Sequence, residues 1–266
     1  MDITIIKIGG NLIDNHILLS EFLLSISRYV LAEKPLILVH GGGLTANTIA
    51  DSMGISYQMH NGKRITNIEM LDISVMVYAG TINKHITASL CSLNCSAIGL
   101  CGADNSLLIS EKRPIIDIDY GFVGDIVSVN TSFLLSLLSN GIIPVISSIT
   151  MDDSGQLLNT NADTIASTIA IELHKHNGVQ SIRLITCFDK TGVLEDINDH
   201  QTCIPDLSYK RYIELKDRGI IDKGMIPKLD NGFKTLHSGI NSVIITSFAH
   251  IDQELNHIKC GTQLQA

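Results

Sequence analysis

The chain has 266 residues, 45% of them hydrophobic and 17% charged, which is room for one large α/β domain or two modest ones around a sizeable core. A formal net charge of −8 argues against a general nucleic-acid binder, though a local anion site remains open to it. No run approaches the roughly 18 apolar residues of a membrane span, and "MDITIIKIGG" lacks a basic region ahead of a long apolar core, so neither a membrane helix nor a signal peptide is expected.

In chain order, "ITIIKI" reads as a strand buried on both faces, with Lys7 inside it. A buried ammonium is costly unless an anion meets it. "NHILLSEFLLSISRYVLAE" has helical periodicity, "LILV" is a second strand, and "GGGLTANTIADSM" opens a helix. "NGKR", 61 to 64, is a turn followed by two cations. "IEMLDISVMVYAGTINKHITASL" reads as one long helix and "SAIGL" as a strand. "YGFVGDIVSV" and "GQLLN" break the rhythm as short hairpin pieces. "LLSLLSNG" ends a helix with Gly141 just past its end, and "IIPVISSI" is one strand. The helix "ADTIASTIAIELHK" and the strands "SIRLIT" and "SVIIT" follow. Such alternation predicts an α/β fold with a mainly parallel sheet covered on both faces. "HKHNGVQS", 174 to 181, is the best lobe boundary. Six cysteines form no C-x-x-C pair, and Cys91 and Cys95 fit core packing, so reduced thiols and a cytoplasmic setting are expected.

Ligands of open α/β sheets gather at the carboxyl ends of strands. Four groups fall there: Lys7 with Gly9 and Gly10; Gly41 to Gly43; "NTNAD", Asn159 to Asp163; and "GMIPK", ending at Lys228. Three glycines between a strand and a helix let a backbone approach an anion at the helix start, although a tight turn is the plainer use. Asp163 is also a natural N-cap, Asn159 and Asn161 turn formers, Arg64 and Lys228 ordinary surface cations. Asp152 and Asp153 read as a solvated turn. Each signal is weak singly, and their order along the chain is what carries weight.

"IIKIGG", "LVHGGG", "NGKRIT", "GIIPVISSI", "GQLLNTNAD", "GIIDKGMIPK" and "CGTQL", in this order over almost the whole chain, resemble the amino-acid kinase family. Within it, "NGKRIT" with "GQLLNTNAD" resembles the branch that phosphorylates N-acetyl-L-glutamate in arginine biosynthesis. The resemblance implies an open αβα sandwich. Residues 1–178 would hold the acylglutamate and form a homodimer, and 179–266 would hold ATP. It implies transfer of a phosphoryl group from ATP to the γ-carboxylate. Lys7 and Lys228 would flank that group, and Asp163 would hold the lysines without acting as a base. Gly10, Gly42 and Gly43 would make close backbone contacts. Arg64, with Asn159 and Asn161, would bind the substrate. Asp189, Gly192, Ile221 and Asp222 would join Lys7, Gly10 and Lys228 around the nucleotide. A carboxylate is ionised near neutrality, so no general base is required. Mg²⁺ is expected to ride on the phosphates, without a dedicated protein cage. Replacing Lys7 by Ala is expected to cut turnover by orders of magnitude with little loss of fold.

The nucleotide segment departs from the family. "LITCFDKTGVL" carries Cys187 where an aspartate is usual, and is about two residues longer. Only six residues precede Lys7, leaving no room for the N-terminal helix of arginine-inhibited members, so an arginine-insensitive dimer is expected. N-Succinyl-L-glutamate is the alternative substrate, with Lys63 beside Arg64 as the cation for its extra carboxylate. Other kinases of this fold, acting on carbamate, aspartate, glutamate or uridylate, are the next reading. A catalytically dead binding protein should have lost Lys7, Asp163 or Lys228, and all three are present. A dinucleotide oxidoreductase lacks its third glycine in "GGNLIDN".

Overall fold

The computed structural model describes residues 1–60, 63–196, 198–221 and 224–266, with the backbone alone at 63 and 200. Strand β1 (Asp2–Ile8) leads through the single turn α1 (Gly10–Ile13) into α2 (His16–Leu31), whose first amide hydrogens at Ile17 and Leu18 are capped by Asn15 Oδ1. Strand β2 (Leu36–His40) feeds α3 (Gly43–Ser52), and β3 (Gln58–His60) pairs antiparallel with β4 (Lys63–Ile65). Helix α4 (Ile68–Ser74) passes through a π-helical stretch, Val75–Ile82, into α5 (Asn83–Ser92). Then come β5 (Ala97–Leu100), β6 (Leu108–Lys112), β7 (Gly124–Val129), α6 (Thr131–Ser139), β8 (Ile143–Ser147), β9 (Ile149–Met151) and β10 (Leu157–Asn159). The chain ends with α7 (Ala162–His174), β11 (Ser181–Phe188), β12 (Asp206–Ser208), α8 (Tyr209–Asp217), α9 (Ile226–His237), β13 (Ser242–Ser247), α10 (Ile251–Leu255) and β14 (Thr262–Gln265).

The main sheet has the order β12-β14-β13-β11-β1-β2-β8-β5 and is parallel except where β13 meets β14. Helices cover both faces, and two apolar cores lie above and below the sheet. Alternation along β1 divides its side chains between them. Ile3 and Ile5 pack with α7, while Ile6 and Ile8 pack with α2. Lys7 shares the odd face, so it emerges at the carboxyl end of β1 on the α7 side.

Three details differ from the sequence reading. The long helix over 68–92 carries π-helical turns in its middle. "IIPVISSI" is two strands: β8 belongs to the main sheet, and after Ser148 the chain enters a four-stranded sheet, β10-β9-β6-β7, as β9. The hairpin pieces belong to that second sheet, whose β6 and the helix α8 carry no clear signal of their own in the sequence. Gly141, with φ of +68°, ends α6 in the left-handed conformation, as the C′ reading requires.

Candidate active site

Lys7 meets Asp163. The Nζ–Oδ1 separation is 2.8 Å, and both side chains are almost wholly buried. Asp163 is not the cap of α7. Asn161 is, its Oδ1 accepting from the N–H groups of Asp163 (2.8 Å) and Thr164 (3.2 Å). The cap thus places Asp163 in the first turn, where the helix dipole favours a carboxylate, and aims it at the end of β1.

The glycines divide by what surrounds them. Gly42 caps α3 with φ of 163°, an extended conformation open to any residue. What excludes a side chain there is space, because a Cβ would overlap Ile82 Cδ1 and stand 2.8 Å from Tyr78 Cδ1. Gly41 and Gly43 would place a Cβ no nearer than 3.8 and 3.7 Å to any neighbour, and Gly10 no nearer than 3.4 Å. Among the described residues nothing demands glycine at these three positions. The unused space borders the strand ends, which suits a ligand pressed against bare backbone.

Arg64 projects from β4 toward α3. Its Nη1 donates to Tyr78 Oη (2.7 Å), and its Nη2 donates to Gly43 O (2.9 Å) and to Asn47 Oδ1. Its guanidinium lies 5.6 Å from the Tyr57 ring centre. Nε is buried and has no hydrogen-bond partner among the described residues. A buried donor without a partner is costly, and this one sits on an otherwise held guanidinium. The β3–β4 hairpin is tied to the second sheet. Thr66 N donates to Tyr120 O, Phe122 N to Thr66 O and Asn159 N to Phe122 O, while Asn159 Nδ2 donates to Thr66 Oγ1 at 3.1 Å. Asn159 therefore reaches Arg64's strand through Thr66. Gly121, with φ of +69°, lies so close to Thr66 O that no Cβ fits.

Two adjoining cavities, each of about 240 Å³, open at the carboxyl end of β1 and β11. The first is lined by Lys7, Gly9, Gly10, Asn11 and Leu12. The second is lined by Lys190, Gly192, Val193, Ile220, Ile221 and Met225, among others. Phe188, Asp189 and Lys228 border both. Of the residues expected around a nucleotide, Lys7, Gly10, Asp189, Gly192, Ile221 and Lys228 lie on these walls, and Asp222 lies outside the described residues, as does the Lys63 side chain. Lys228 stands in the first turn of α9, its Nζ 3.3 Å from Gly224 O. Gly192 is held by packing, since a Cβ would come within 2.8 Å of Cys203 Sγ and 2.6 Å of Thr262 Oγ1. Cys187 lies in the core on the α2 face, where burial, reinforced by the Glu254 carboxylate, pushes its thiol far up and keeps it protonated. Among the described residues no group of three or more His, Cys, Asp or Glu could hold a metal ion.

Sequence reasoning did not single out Tyr78, Asn47, Thr66 or Phe188. Tyr78 carries the one usable signal, a hydroxyl inside an otherwise apolar helical run.

A model of the amino acid kinase family matches residues 2–247. The chain is 47% identical over 264 residues to an acetylglutamate kinase of Cytophaga hutchinsonii, covering 98% of each chain. It is 43% identical over 254 residues to an acetylglutamate kinase of Parabacteroides distasonis, covering 94% of this chain and 96% of the other. The crystal structure of smu.665 from Streptococcus mutans superposes with a TM-score of 0.83 at 25% identity, covering 99% of this chain and 98% of that one.

Proposed function

From the premise that this chain belongs to the amino acid kinase family, we propose that it transfers the γ-phosphoryl group of ATP to the side-chain carboxylate of N-acetyl-L-glutamate, in arginine biosynthesis. The observation that carries the reading is that Lys7 and Lys228, from opposite ends of the sequence, border one cavity beside bare glycine backbone.

The chemistry asks little of the protein beyond placement and charge. A glutamate carboxylate, with a pKa of about 4.3, is already a nucleophile near neutrality. Its oxygen attacks the γ-phosphorus while the bond to the β–γ bridging oxygen breaks, giving an acyl phosphate and ADP. Lys7, Lys228 and the amide hydrogens at the start of α3 offset the charge on the moving phosphoryl group. Asp163 holds Lys7 at the mouth of the cavity through the 2.8 Å ion pair, and an acceptor that is already ionised needs no base. Arg64 presents Nε to the substrate α-carboxylate, helped by Asn159, and Asn161 lines the same site. Gly192, Ile221, Asp189 and Met225 form the nucleotide wall, on which Asp189 or Lys190 takes the place of the family's usual aspartate at Cys187. Mg²⁺, held by the phosphates and not by a protein cage, would supply further charge neutralisation there. On this reading residues 1–178 bind the acylglutamate and pair two copies as a homodimer, and 179–266 bind the nucleotide. The setting is the cytoplasm. No helix among the described residues is long and apolar enough to cross a membrane.

The test is acyl-phosphate formation trapped with hydroxylamine, using ATP-Mg and N-acetyl- or N-succinyl-L-glutamate at equal concentrations. Preference for the acetyl compound is expected, in keeping with the names of the relatives. Preference for the succinyl compound, or no product from either, overturns the assignment. Light scattering on the purified chain tests the dimer.

A further inference from the structure

We infer that His40 is a positioning residue for phosphoryl transfer: it fixes the peptide between Gly41 and Gly42 so that the Gly42 amide hydrogen faces the cleft. The inference rests on the kinase reading above and assigns a role to a residue that the mechanism so far leaves unused.

His40 is the last residue of β2 and is wholly buried. Its Nδ1 lies 2.8 Å from Gly41 O. A carbonyl oxygen can only accept, so Nδ1 carries the hydrogen. Nε2 is then an acceptor, and Asn83 Nδ2 donates to it at 3.1 Å. The Asn83 amide is itself fixed. Nδ2 also donates to Val145 O at 2.8 Å, and Oδ1 receives Lys84 Nζ at 3.2 Å. The tautomer and the plane of the ring are therefore both set from behind.

The consequence follows from peptide geometry. No peptide bond among the described residues is cis. Across a trans peptide the carbonyl and the following N–H point in opposite directions. With Gly41 O turned back to His40, Gly42 N–H points away from the buried ring. Neither Gly42 N–H nor Gly43 N–H finds an acceptor among the described residues. They stand at the start of the ten-residue α3, where unpaired amides and the helix dipole favour an anion. The opposite side of Gly42 is closed by Tyr78 and Ile82. These come from the π-helical turns that end where Asn83 begins α5, so one stretch of helix both presses on the loop and supplies the group that holds His40.

The ring is a poor candidate for proton transfer. Both nitrogens are engaged, and burial, with the Lys84 charge adding to it, lowers its pKa from 6.5 to about 4, so it stays neutral wherever the substrate is ionised. Two amide side chains separate positioning of the peptide from mere filling of the core. Asn places its amide nitrogen where Nδ1 stands, whereas Gln places it near Nε2. His40→Asn is expected to keep kcat within about fivefold of wild type, and His40→Gln to lose about tenfold to a hundredfold in kcat, somewhat less than the loss of a whole oxyanion donor. KM for both substrates should change little in either variant, because the amide acts on the moving charge. Equal kcat in the two variants, with both folded by circular dichroism, overturns the inference. A second measurement needs no variant. In ¹⁵N-glycine-labelled wild type, the Gly42 amide should shift downfield when ADP, Mg²⁺, fluoride-complexed aluminium and N-acetylglutamate are added together, and an unmoved Gly42 resonance overturns the inference too. A wild type that makes no acyl phosphate sinks the kinase reading instead, which keeps the two failures apart.

Discussion

Replacing Lys7 by Met removes one charge and little volume, and the structure indicates what that costs. At 2.8 Å, with an effective dielectric of about 20, the gross attraction between Lys7 and Asp163 is about 6 kcal/mol. Desolvation offsets much of this, and breaking a buried pair typically costs about 3–5 kcal/mol because the surviving charge is stranded. Here Lys7 borders a cavity of about 240 Å³, so water can reach the stranded carboxylate and the cost falls to the lower end of that range or just below it. Lys7→Met should lose about 2–3 kcal/mol in urea unfolding followed by circular dichroism, together with about a hundredfold or more of kcat in the hydroxylamine assay. This departs from the expectation that the fold would hardly notice the loss of Lys7. Adding Asp163→Asn to Lys7→Met neutralises the stranded group and should restore about half of the lost stability while restoring no activity. Lys7→Met within about 0.5 kcal/mol of wild type, or a double variant no more stable than Lys7→Met, would falsify the claim that Asp163 depends on Lys7.

Gly42→Ala should cost about 1–3 kcal/mol of stability through the clash with Ile82 and Tyr78, and should raise KM for acetylglutamate by disturbing Tyr78 beneath Arg64; a Tm equal to that of wild type refutes the packing argument. Tyr78→Phe removes the acceptor of Arg64 Nη1, worth about 1 kcal/mol, so KM for acetylglutamate should rise about fivefold with KM for ATP unmoved, as steady-state kinetics in each substrate will show. His40 binds a proton more readily unfolded, near 6.5, than folded, near about 4, so its contribution to stability is fully present above pH 6.5 and is lost as pH falls toward 4. The gap of about 2.5 corresponds to about 3 kcal/mol, and the stability of wild type relative to His40→Asn should decline by up to that amount across this window; parallel stability curves from pH 7 to 4.5 would contradict it.

Much of the site was legible because its residues sit where their chemistry is expensive. Lys7 stands out inside an apolar strand, and the alternation of β1 even fixes the face on which it emerges. Asp163 was ambiguous because a carboxylate at a helix start has a local use. Only three-dimensional placement shows that Asn161 takes that use and leaves Asp163 to Lys7. The turn from β8 into a second sheet was hidden because "IIPVISSI" is continuously suitable for a strand and says nothing about which partner each half finds. The π-helical turns were hidden for a similar reason. A run of apolar residues satisfies a period of 3.6 and a slightly longer one equally well, so the Tyr78 hydroxyl could be noticed in the sequence but neither it nor Asn83 could be placed behind the glycine loop. Cys187 marked a departure in the sequence, and it is buried in the core while Asp189 and Lys190 line the cavity.

The glycines at 10, 41 and 43 also decide how a survey of variants of this protein would look. At Gly42 a methyl group meets protein, so substitution lowers the amount of folded chain in the cell and its catalytic output together. At Gly41 and Gly43 a methyl group makes no contact closer than 3.7 Å, so on the proposed function an abundance screen should pass alanine there while a growth selection on arginine-free medium rejects it. Positions where those two readouts part company would outline the bound substrates from the variants alone.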